Sequence, residues 1–257
     1  MSDSLVIIPT YNEGENIGEM IQQVFSLEQS FHLLIIDDNS PDGTGDFIKQ
    51  LQNNYPEQLH LIERTSKQGL GTAYITGFRW ALEKKYDYIF EMDADFSHDP
   101  KDLVRLHRAC SSEGADLTIG SRYLTGVNVV NWPIGRVLLS YFASRYVQWV
   151  TGMPIQDTTA GYICYRRRVL ENINFDFIKF RGYAFQIEMK FTAWQLGFNL
   201  VEIPIIFTDR SKGESKMSKG IFREAFLGVL EMKLKGIFRD LAAIHRKSIG
   251  CIGLNLM

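Results

Sequence analysis

The sequence predicts an α/β protein with a mostly parallel central sheet and helices on both faces. Short apolar runs such as LVII and LLII, typical of buried strands, alternate along the first half of the chain with segments of helical periodicity. Alternation of this kind implies helices that cover both faces of a parallel sheet. The length of 257 residues and a hydrophobic content of 45% suit one large domain of this class.

Individual elements follow from local patterns. Strands are expected at residues 5–8, 33–36, 59–62, 88–92 and 116–120. A helix over residues 15–25 is indicated by apolar side chains at helical spacing, namely Ile17, Met20, Ile21 and Val24. Residues 70–85 have a helical pattern as well. A further helix, ending near residue 110, is expected to have Asp99 as its cap and Pro100 as its first residue.

Composition excludes several classes of protein. A formal charge of −2 argues against a protein that coats nucleic acid. The three cysteines have no CxxC spacing, which argues against a zinc site or a disulfide framework and favours a reducing compartment. The N-terminus lacks a basic segment, and no apolar run reaches the roughly 20 residues of a spanning helix. A cytoplasmic protein, able to rest on a membrane surface, is therefore expected.

Polar and acidic residues follow four of the predicted strands. The segments are PTYNE, DDNSPDGT, DADFSH and SRY. Ligands of parallel α/β sheets bind beyond the carboxyl ends of the strands, so four such clusters at one edge favour a binding site. DDNSPDGT taken alone is also good turn chemistry, because Asn, Pro, Asp and Gly each favour tight turns.

The pair Asp93 and Asp95 is the strongest candidate within these clusters. Side chains two residues apart on an extended segment point the same way, with Cα atoms roughly 6.5 Å apart. Two carboxylates suit a hard divalent ion shared with a phosphate ligand. The alternative is a solvated turn in which Asp95 caps the backbone. His98 stands beside this turn, and a structural role is favoured for it over that of a catalytic base.

The nucleotide motifs of other enzymes are absent from the sequence. It contains no P-loop, and PTYNEGEN occupies the place after the first strand where a dinucleotide-binding GxGxxG would stand. A nucleotide held by acidic turns and a metal ion indicates a sugar-nucleotide enzyme instead.

An ordered set of motifs resembles one enzyme family. IPTYNE, DDNSPDGT, MDADFSHDP, GSRY, DTTAGY and DRSKGESKM occur in this order over roughly residues 5–217. Together they resemble the polyprenyl-phosphate (dolichyl-phosphate) mannose synthases, inverting glycosyltransferases of family 2 with the Rossmann-like GT-A fold. The resemblance implies transfer of mannose from GDP-mannose to a polyprenyl or dolichyl monophosphate, with Mg²⁺ or Mn²⁺ as cofactor.

The same resemblance implies roles for individual residues. The nucleoside would be held by Pro9, Tyr11, Glu13, Ile36 and Asp38. The donor diphosphate and its metal ion would be bound by Asp93, Ala94 and Asp95, with Ser97 in the place of a glutamine that some relatives use as a ligand. The acceptor phosphate would be bound by Arg122, Arg136 and Ser140. The loop DRSKGESKM would close over the donor through Arg210 and Lys216. The catalytic group would be Asp95, Arg122 and Arg136.

No general base is needed for this chemistry. A phosphate monoester has its second pKa near ~6, so the acceptor is already ionised at neutral pH. The enzyme then has to position its substrates and offset charge. Guanidinium groups suit this task because they grip phosphate oxygens with two parallel hydrogen bonds. Asp157 could bind sugar hydroxyl groups or order the site, and a simple cap is the alternative.

Two segments suit a lipid acceptor and a membrane surface. Residues 131–150 mix tryptophan and tyrosine with arginine, as is typical of membrane interfaces. Residues 218–247 have the pattern of a basic amphipathic helix, with apolar Phe222, Phe226, Val229 and Leu230. That helix can equally pack on the core or on a partner. A GT-A domain over 1–217 and a C-terminal helix and tail over 218–257 are expected.

The last residues of the chain are too short to span a membrane. Peripheral association, or a separate small membrane-spanning partner, is therefore expected. Two alternative functions stay open: transfer from UDP-glucose or another UDP-sugar to a polyprenyl phosphate, and a catalytically silent GT-A binding module. A sugar nucleotidyltransferase would want a Gly-rich basic loop after the first strand, which PTYNEGEN does not supply.

Overall fold

The computed structural model describes residues 2–209 and 228–234. The strands are β1 (Ser4–Thr10), β2 (His32–Asp37), β3 (Leu59–Glu63), β4 (Tyr88–Glu91), β5 (Leu117–Ser121), β6 (Val129–Val130), β7 (Ile163–Arg166), β8 (Leu200–Pro204) and β9 (Phe207–Thr208). The helices are α1 (Gly14–Phe25), α2 (Thr44–Gln52), α3 (Leu70–Glu83), α4 (Asp102–Ser111), α5 (Ile134–Thr151), α6 (Arg167–Asn172) and α7 (Tyr183–Gln195), with a 3₁₀ turn at Phe175–Phe177.

One large sheet runs through the described part of the chain, with strand order β3-β2-β1-β4-β7-β5-β8. All neighbouring strands are parallel except β7, which is antiparallel to both β4 and β5. The carboxyl ends of β1, β2, β4 and β5 therefore meet at the same edge. This arrangement confirms the predicted fold class and brings the four polar clusters together.

Strand alternation divides the core into two layers. In β1, Leu5 and Ile7 pack on one face against α3 and α7, whereas Val6 and Ile8 pack on the other against α1 and α4. All four side chains are completely buried, as expected for a sheet covered on both faces. The two layers fix the sheet edge from above and below, and so make a rigid base for the site.

The boundaries of the predicted strands and helices agree with the structure except at one helix start. The helix expected from Asp99 begins at Asp102, because Pro100 and Lys101 form a turn in which the Asp99 carboxylate accepts the backbone N–H of Lys101. Several elements of the structure were not predicted, namely strands β6, β7, β8 and β9 and helices α2, α5, α6 and α7. The antiparallel β7 has four residues and runs directly into α6, so no turn signal marks its end.

A small second sheet lies beside the main one. It pairs β6 with β9, so that Val129 faces Phe207 and Val130 faces Thr208. The backbone N–H of Thr208 also donates to the carbonyl of Ser97 at 3.3 Å. This sheet thereby connects the segment before α5 to the acidic loop after β4.

Residues 228–234 are helical and pack on the main body. Val229 and Met232 are buried in the core beside Phe180, and Lys179 pairs with Glu231 at 2.7 Å. This part of the predicted C-terminal helix therefore packs one of its faces on the core of the protein. The proposed division at residue 217 falls outside the described residues and stays a prediction.

Candidate functional site: a cavity at the carboxyl edge of the sheet

A cavity of about 470 Å³ opens beyond the carboxyl ends of β4 and β5. Its lining includes the acidic residues Asp93 and Asp95 and the basic residues Arg122 and Arg136. The apolar part of the wall comes from Leu70, Leu139, Phe142, Ala143, Tyr146, Val147, Ile187, Ile205, Phe207 and Val229. Opposite charges and an apolar surface thus share one space, which suits a ligand with an ionic head and a hydrophobic tail.

The acidic loop after β4 is held in a tight turn. Asp95 is 8% exposed, and its Oδ1 accepts the backbone N–H of Ser97 at 3.1 Å and the Ser97 hydroxyl at 2.6 Å. Phe96 between them adopts a left-handed backbone conformation, with φ of 59°. That conformation is costly for a bulky residue and is a recurring feature of functional loops. Ser97 thus supports Asp95, and its expected place as a metal ligand stays a prediction.

His98 packs behind this loop as a neutral side chain. It is 3% exposed, stacks on Tyr162 at 4.6 Å between ring centroids, and accepts the backbone N–H of Asp93 through Nδ1. Burial lowers the pKa of His98 to about 4. A histidine whose Nδ1 accepts a backbone N–H is a support for the loop, in keeping with the structural role favoured above.

Arg122 and Asp157 form a buried ion pair at the centre of the site. The carboxylate of Asp157 is completely buried and accepts three hydrogen bonds from Arg122: from the backbone N–H at 2.9 Å, from Nε at 2.7 Å and from Nη2 at 2.6 Å. Burial opposes ionisation of Asp157, but the charge and hydrogen bonds of Arg122 outweigh it and hold the pKa of Asp157 below its ordinary value.

This pair changes two expectations. The Nε–Nη2 edge of Arg122 binds a carboxylate, so the two-pronged grip expected for the acceptor phosphate is engaged within the protein. Asp157 is completely buried and binds Arg122, so it orders the site and does not bind sugar hydroxyl groups. Nη2 also donates to Thr159 at 2.8 Å, which ties Arg122 to the loop that follows Asp157.

Aromatic rings hold both arginines from the other side. The Arg136 guanidinium lies 4.0 Å from the ring centroid of Trp132 and pairs with Asp209 at 2.8 Å. The Arg122 guanidinium lies 5.3–5.6 Å from the rings of Tyr123, Trp132 and Phe207. Such contacts fix the direction of a guanidinium group while keeping its charge.

The segment 156–160 is held by side chains from two elements, β8 and α7. Glu202 on β8 accepts the backbone N–H groups of Gln156 and Asp157 at 2.7 and 2.8 Å. The buried Lys190 on α7 donates to the carbonyl of Ala160. These contacts position Asp157, and through it Arg122, from elements that are distant in the sequence.

The predicted nucleoside-binding residues lie at the carboxyl ends of β1 and β2 or in the segments that follow these strands. Pro9, Tyr11 and Glu13 are half-buried, and Asp38 is 7% exposed and pairs with Arg64 at 2.5 Å. Ile36 differs from expectation, because strand alternation places its side chain in the core, where it is completely buried and closed to a nucleoside.

Comparison with known proteins places this site in a family. The family model of glycosyl transferase family 2 matches residues 5–173. Polyprenol monophosphomannose synthase of Mycolicibacterium smegmatis is 47% identical over 233 residues, which are 91% of this chain and 88% of the relative. The chain belongs to glycosyl transferase family 2.

A second relative and two solved structures are also similar to this chain. Undecaprenyl-phosphate mannosyltransferase of Micrococcus luteus is 44% identical over 93% of this chain and 97% of its own. A Pyrobaculum calidifontis mannosyltransferase, solved with GDP-Man and Mn²⁺, matches 99% of this chain and 81% of its own at 17% identity, with a TM-score of 0.57. Glucosyl-3-phosphoglycerate synthase of Mycobacterium tuberculosis matches 90% of this chain and 77% of its own at 16% identity, with a TM-score of 0.63.

The acidic loop fits the divalent ion that a family 2 GT-A enzyme would use. Among the described residues no three His, Cys, Asp or Glu side chains gather into a metal site. Asp93 and Asp95 nevertheless both line the cavity, and two carboxylates are the number that Mg²⁺ commonly takes when substrate phosphates and waters complete its shell. An ion shared with a nucleotide, and not a closed protein cage, matches this donor set.

The structure brings together most of the predicted family 2 site. Asp93, Asp95, Ser97, Arg122, Arg136 and Ser140 all line the one cavity, and Ala94 is buried within the acidic loop. Arg210 and Lys216 lie outside the described residues, so their role at the donor stays a prediction.

Several residues of the site were missed by sequence reasoning. Lys67 lies 4.4 Å from the ring centroid of Tyr11, and Arg64 holds Asp38. Trp132 stacks on Arg136, and Gln186 forms part of the cavity wall. The segment ERTSKQGLG between β3 and α3, which also follows a strand at the same edge, was the available signal for the first two.

Proposed function

We propose that this enzyme transfers mannose from GDP-mannose to a polyprenyl monophosphate with inversion, and so makes polyprenyl-phosphate mannose. The observation that carries the proposal is the composition of the single cavity. The same cavity of about 470 Å³ is lined by three kinds of group. They are two carboxylates suited to a metal-bound diphosphate, two guanidinium groups suited to a phosphate monoester, and an apolar wall suited to a prenyl chain. The names of the 47% and 44% identical relatives support the same substrates.

In the proposed mechanism the donor lies across the edges of β1, β2 and β4. Tyr11 and Asp38 would bind the nucleoside, and Asp93 and Asp95 would hold Mg²⁺ or Mn²⁺ at the diphosphate. When bound, the ion offsets the charge that builds on the leaving diphosphate. Arg210 and Lys216 are proposed to add to this effect from the following loop.

The acceptor phosphate is proposed to lie against Arg136 and the cavity face of Arg122, near Ser140. An oxygen of the ionised phosphate forms a bond to C1 of mannose, and the bond from C1 to the diphosphate oxygen breaks with its electron pair leaving on GDP. The nucleophile carries no proton at neutral pH, so no general base takes part. One displacement inverts the anomeric centre and gives a β-linked product. Positioning by the two arginines supplies much of the rate.

The first prediction is the activity itself. Enzyme, polyprenyl phosphate and Mg²⁺ or Mn²⁺ should carry label from radioactive GDP-mannose into an organic-solvent extract, whereas UDP-glucose should give no extractable label. Label from UDP-glucose alone would replace the proposed donor by the alternative UDP-sugar. No label from either donor would argue for the catalytically silent binding module.

We further propose that α5 rests on the cytoplasmic face of a membrane. Ile134, Leu138, Phe142 and Trp149 fall on one side of the helix and are 48–83% exposed. Phe142 also lines the cavity, so this surface and the proposed acceptor site are continuous. A prenyl chain could thus pass from the bilayer to the arginines without crossing water. No described helix is long and apolar enough to cross a membrane. A separate spanning partner stays a prediction.

The second prediction concerns this surface. Trp149 is 83% exposed, and Trp149→Glu should lower binding to vesicles of anionic phospholipid about tenfold or more, because it removes a large apolar side chain and adds a repelled charge. Co-sedimentation measures this. The matched control is Phe177→Glu, at a 69% exposed aromatic residue outside α5, which should bind as the wild type does. Equal losses for the two variants would contradict the assignment to α5.

A further inference from the structure

Gln186 contributes to the wall of the cavity but belongs to none of the groups assigned so far. It stands in the first turns of α7 and is 3% exposed. Asp93, Asp95 and Arg122 line the same cavity. A buried amide in the wall of a reaction site has to find partners for both of its ends.

The nitrogen end of the Gln186 amide is fixed by the protein. Nε2 donates to one oxygen of Glu91, and the Tyr165 hydroxyl donates to the other oxygen at 2.9 Å. Glu91 is completely buried at the end of β4. Nε2 is placed against Glu91, and an ionised Glu91 accepts hydrogen bonds without donating any, so with Glu91 ionised the NH₂ group faces it. The amide oxygen therefore occupies the opposite end.

That oxygen, Oε1, is buried and accepts no hydrogen bond from the part of the chain that the structure describes. A buried acceptor without a donor costs free energy, and native proteins keep few such atoms. The side chain cannot turn to relieve this cost without giving up its bond to Glu91. A donor supplied by a bound ligand would satisfy Oε1.

The proposed substrates narrow the identity of that donor. Ionised phosphates carry no O–H group, and a prenyl chain carries no polar hydrogen. The nucleoside is assigned to the ends of β1 and β2, whereas Gln186 contacts the end of β4. The hexose of the donor, by contrast, carries several hydroxyl groups and has to lie between the metal-binding aspartates and the acceptor phosphate.

We propose that Oε1 of Gln186 accepts a hydrogen bond from a hydroxyl group of the sugar being transferred, which makes Gln186 a specificity-determining residue. The proposal rests on the function proposed above. It assigns Tyr165 and Glu91 the task of holding the amide in the orientation that reads the sugar. A site built to pair with a hydroxyl group rejects analogues that lack it.

Gln186→Met tests the proposal, since methionine is similar in length and has no amide. In the presence of Mn²⁺, calorimetry should show an affinity for GDP-mannose about tenfold below that of the wild type, the effect of one neutral hydrogen bond. The affinity for GDP, which lacks the sugar, should stay within about twofold. The matched control is Gln195→Met, at an exposed position on the same helix, which should leave both affinities unchanged.

Equal losses for GDP and GDP-mannose would overturn the proposal, because Gln186 would then act on the nucleotide, on its ion or on the fold. An unchanged affinity for GDP-mannose would overturn it as well. Gln186→Glu is a poor alternative, because it sets a second carboxylate against Glu91.

Deoxy analogues of GDP-mannose give an independent readout. Removal of the hydroxyl group that pairs with Oε1 should cost the wild type about tenfold in kcat/KM and cost Gln186→Met nothing further. The other deoxy analogues should cost both proteins equally. Additive losses for every analogue would overturn the proposal. If the wild type uses only UDP-glucose, the proposed donor is wrong. The role of Gln186 is then tested in the same way, by comparing the affinities of wild type and Gln186→Met for UDP-glucose and for UDP.

Discussion

Asp95→Asn is expected to abolish metal-dependent donor binding while the fold stays intact. Asparagine keeps an oxygen that can accept the two hydrogen bonds from Ser97, and it hardly changes volume. It removes the negative charge that a divalent ion requires. Turnover should fall on the order of a hundredfold or more, since charge on the leaving diphosphate is no longer offset. Calorimetry with GDP and Mn²⁺ measures binding, and thermal unfolding measures the fold.

Asp99→Asn is the matched control for this prediction. The residue lies four positions further along the same loop, is exposed, and accepts one backbone hydrogen bond that asparagine can also accept. Its metal-dependent affinity for GDP should equal that of the wild type. If Asp95→Asn bound GDP and Mn²⁺ as tightly as the wild type does, the acidic loop would have to be assigned a purely structural role.

Asp157→Asn is expected to damage both stability and activity. The substitution leaves the guanidinium of Arg122 buried without its counter-charge and sets an NH₂ group against N–H donors. Removal of one partner from a buried ion pair typically costs about 3–5 kcal/mol. Denaturant unfolding should therefore show a loss of that size, and transfer should fall because Arg122 no longer has a fixed direction.

Asp176→Asn provides a matched comparison. Asp176 pairs with Arg79 at 2.6 Å, the same distance as between Arg122 and Asp157, but both partners are more than half exposed. Its cost should stay below about 1 kcal/mol. The double variant Arg122→Met with Asp157→Leu should regain most of the lost stability without regaining activity. Comparable losses at the exposed and buried pairs would contradict this account.

The pH dependence of the Asp157 effect has a definite sign. The pKa of Asp157 is lowered in the folded protein, so the ionised form contributes stability above the unfolded pKa of about 3.9. That contribution is lost as the pH falls through the folded-state value. The difference in free energy of unfolding between wild type and Asp157→Asn should thus be constant from pH 8 to 5 and shrink below about pH 4.

The fold and the acidic half of the site could be predicted because their signals are local. Val6 and Ile8 alternate with Leu5 and Ile7 within one strand, and the polar residues follow each strand directly. Asp93 and Asp95 belong to this class, since both stand in a single short turn. The family motifs then indicated the substrates, which the local patterns could not do.

The residues that hold the site in place, such as Asp157 and Gln186, could not be predicted because their contacts are long-range. Asp157 precedes the antiparallel β7, which returns the chain between β4 and β5, and that strand was not predicted. Gln186 reaches Glu91 through the packing of α7 on the sheet. The error at Ile36 has the same origin, since the resemblance supplied a position but not the face of the strand on which its side chain lies.

The wide sequence separation of the site contacts has a consequence for how the chain folds. Arg122 and Asp157 are 35 residues apart, Arg136 and Asp209 are 73 apart, and Glu91 and Gln186 are 95 apart. Closing such long loops costs chain entropy before the long-range contacts can stabilise the fold. A helix, by contrast, forms through contacts between residues that are close in the sequence. The two-residue pairing of β6 with β9 is too short to stand alone and needs a finished body beneath it. The catalytic site is therefore expected to form late in folding. A refolding chain that has already regained its helices still lacks the assembled site.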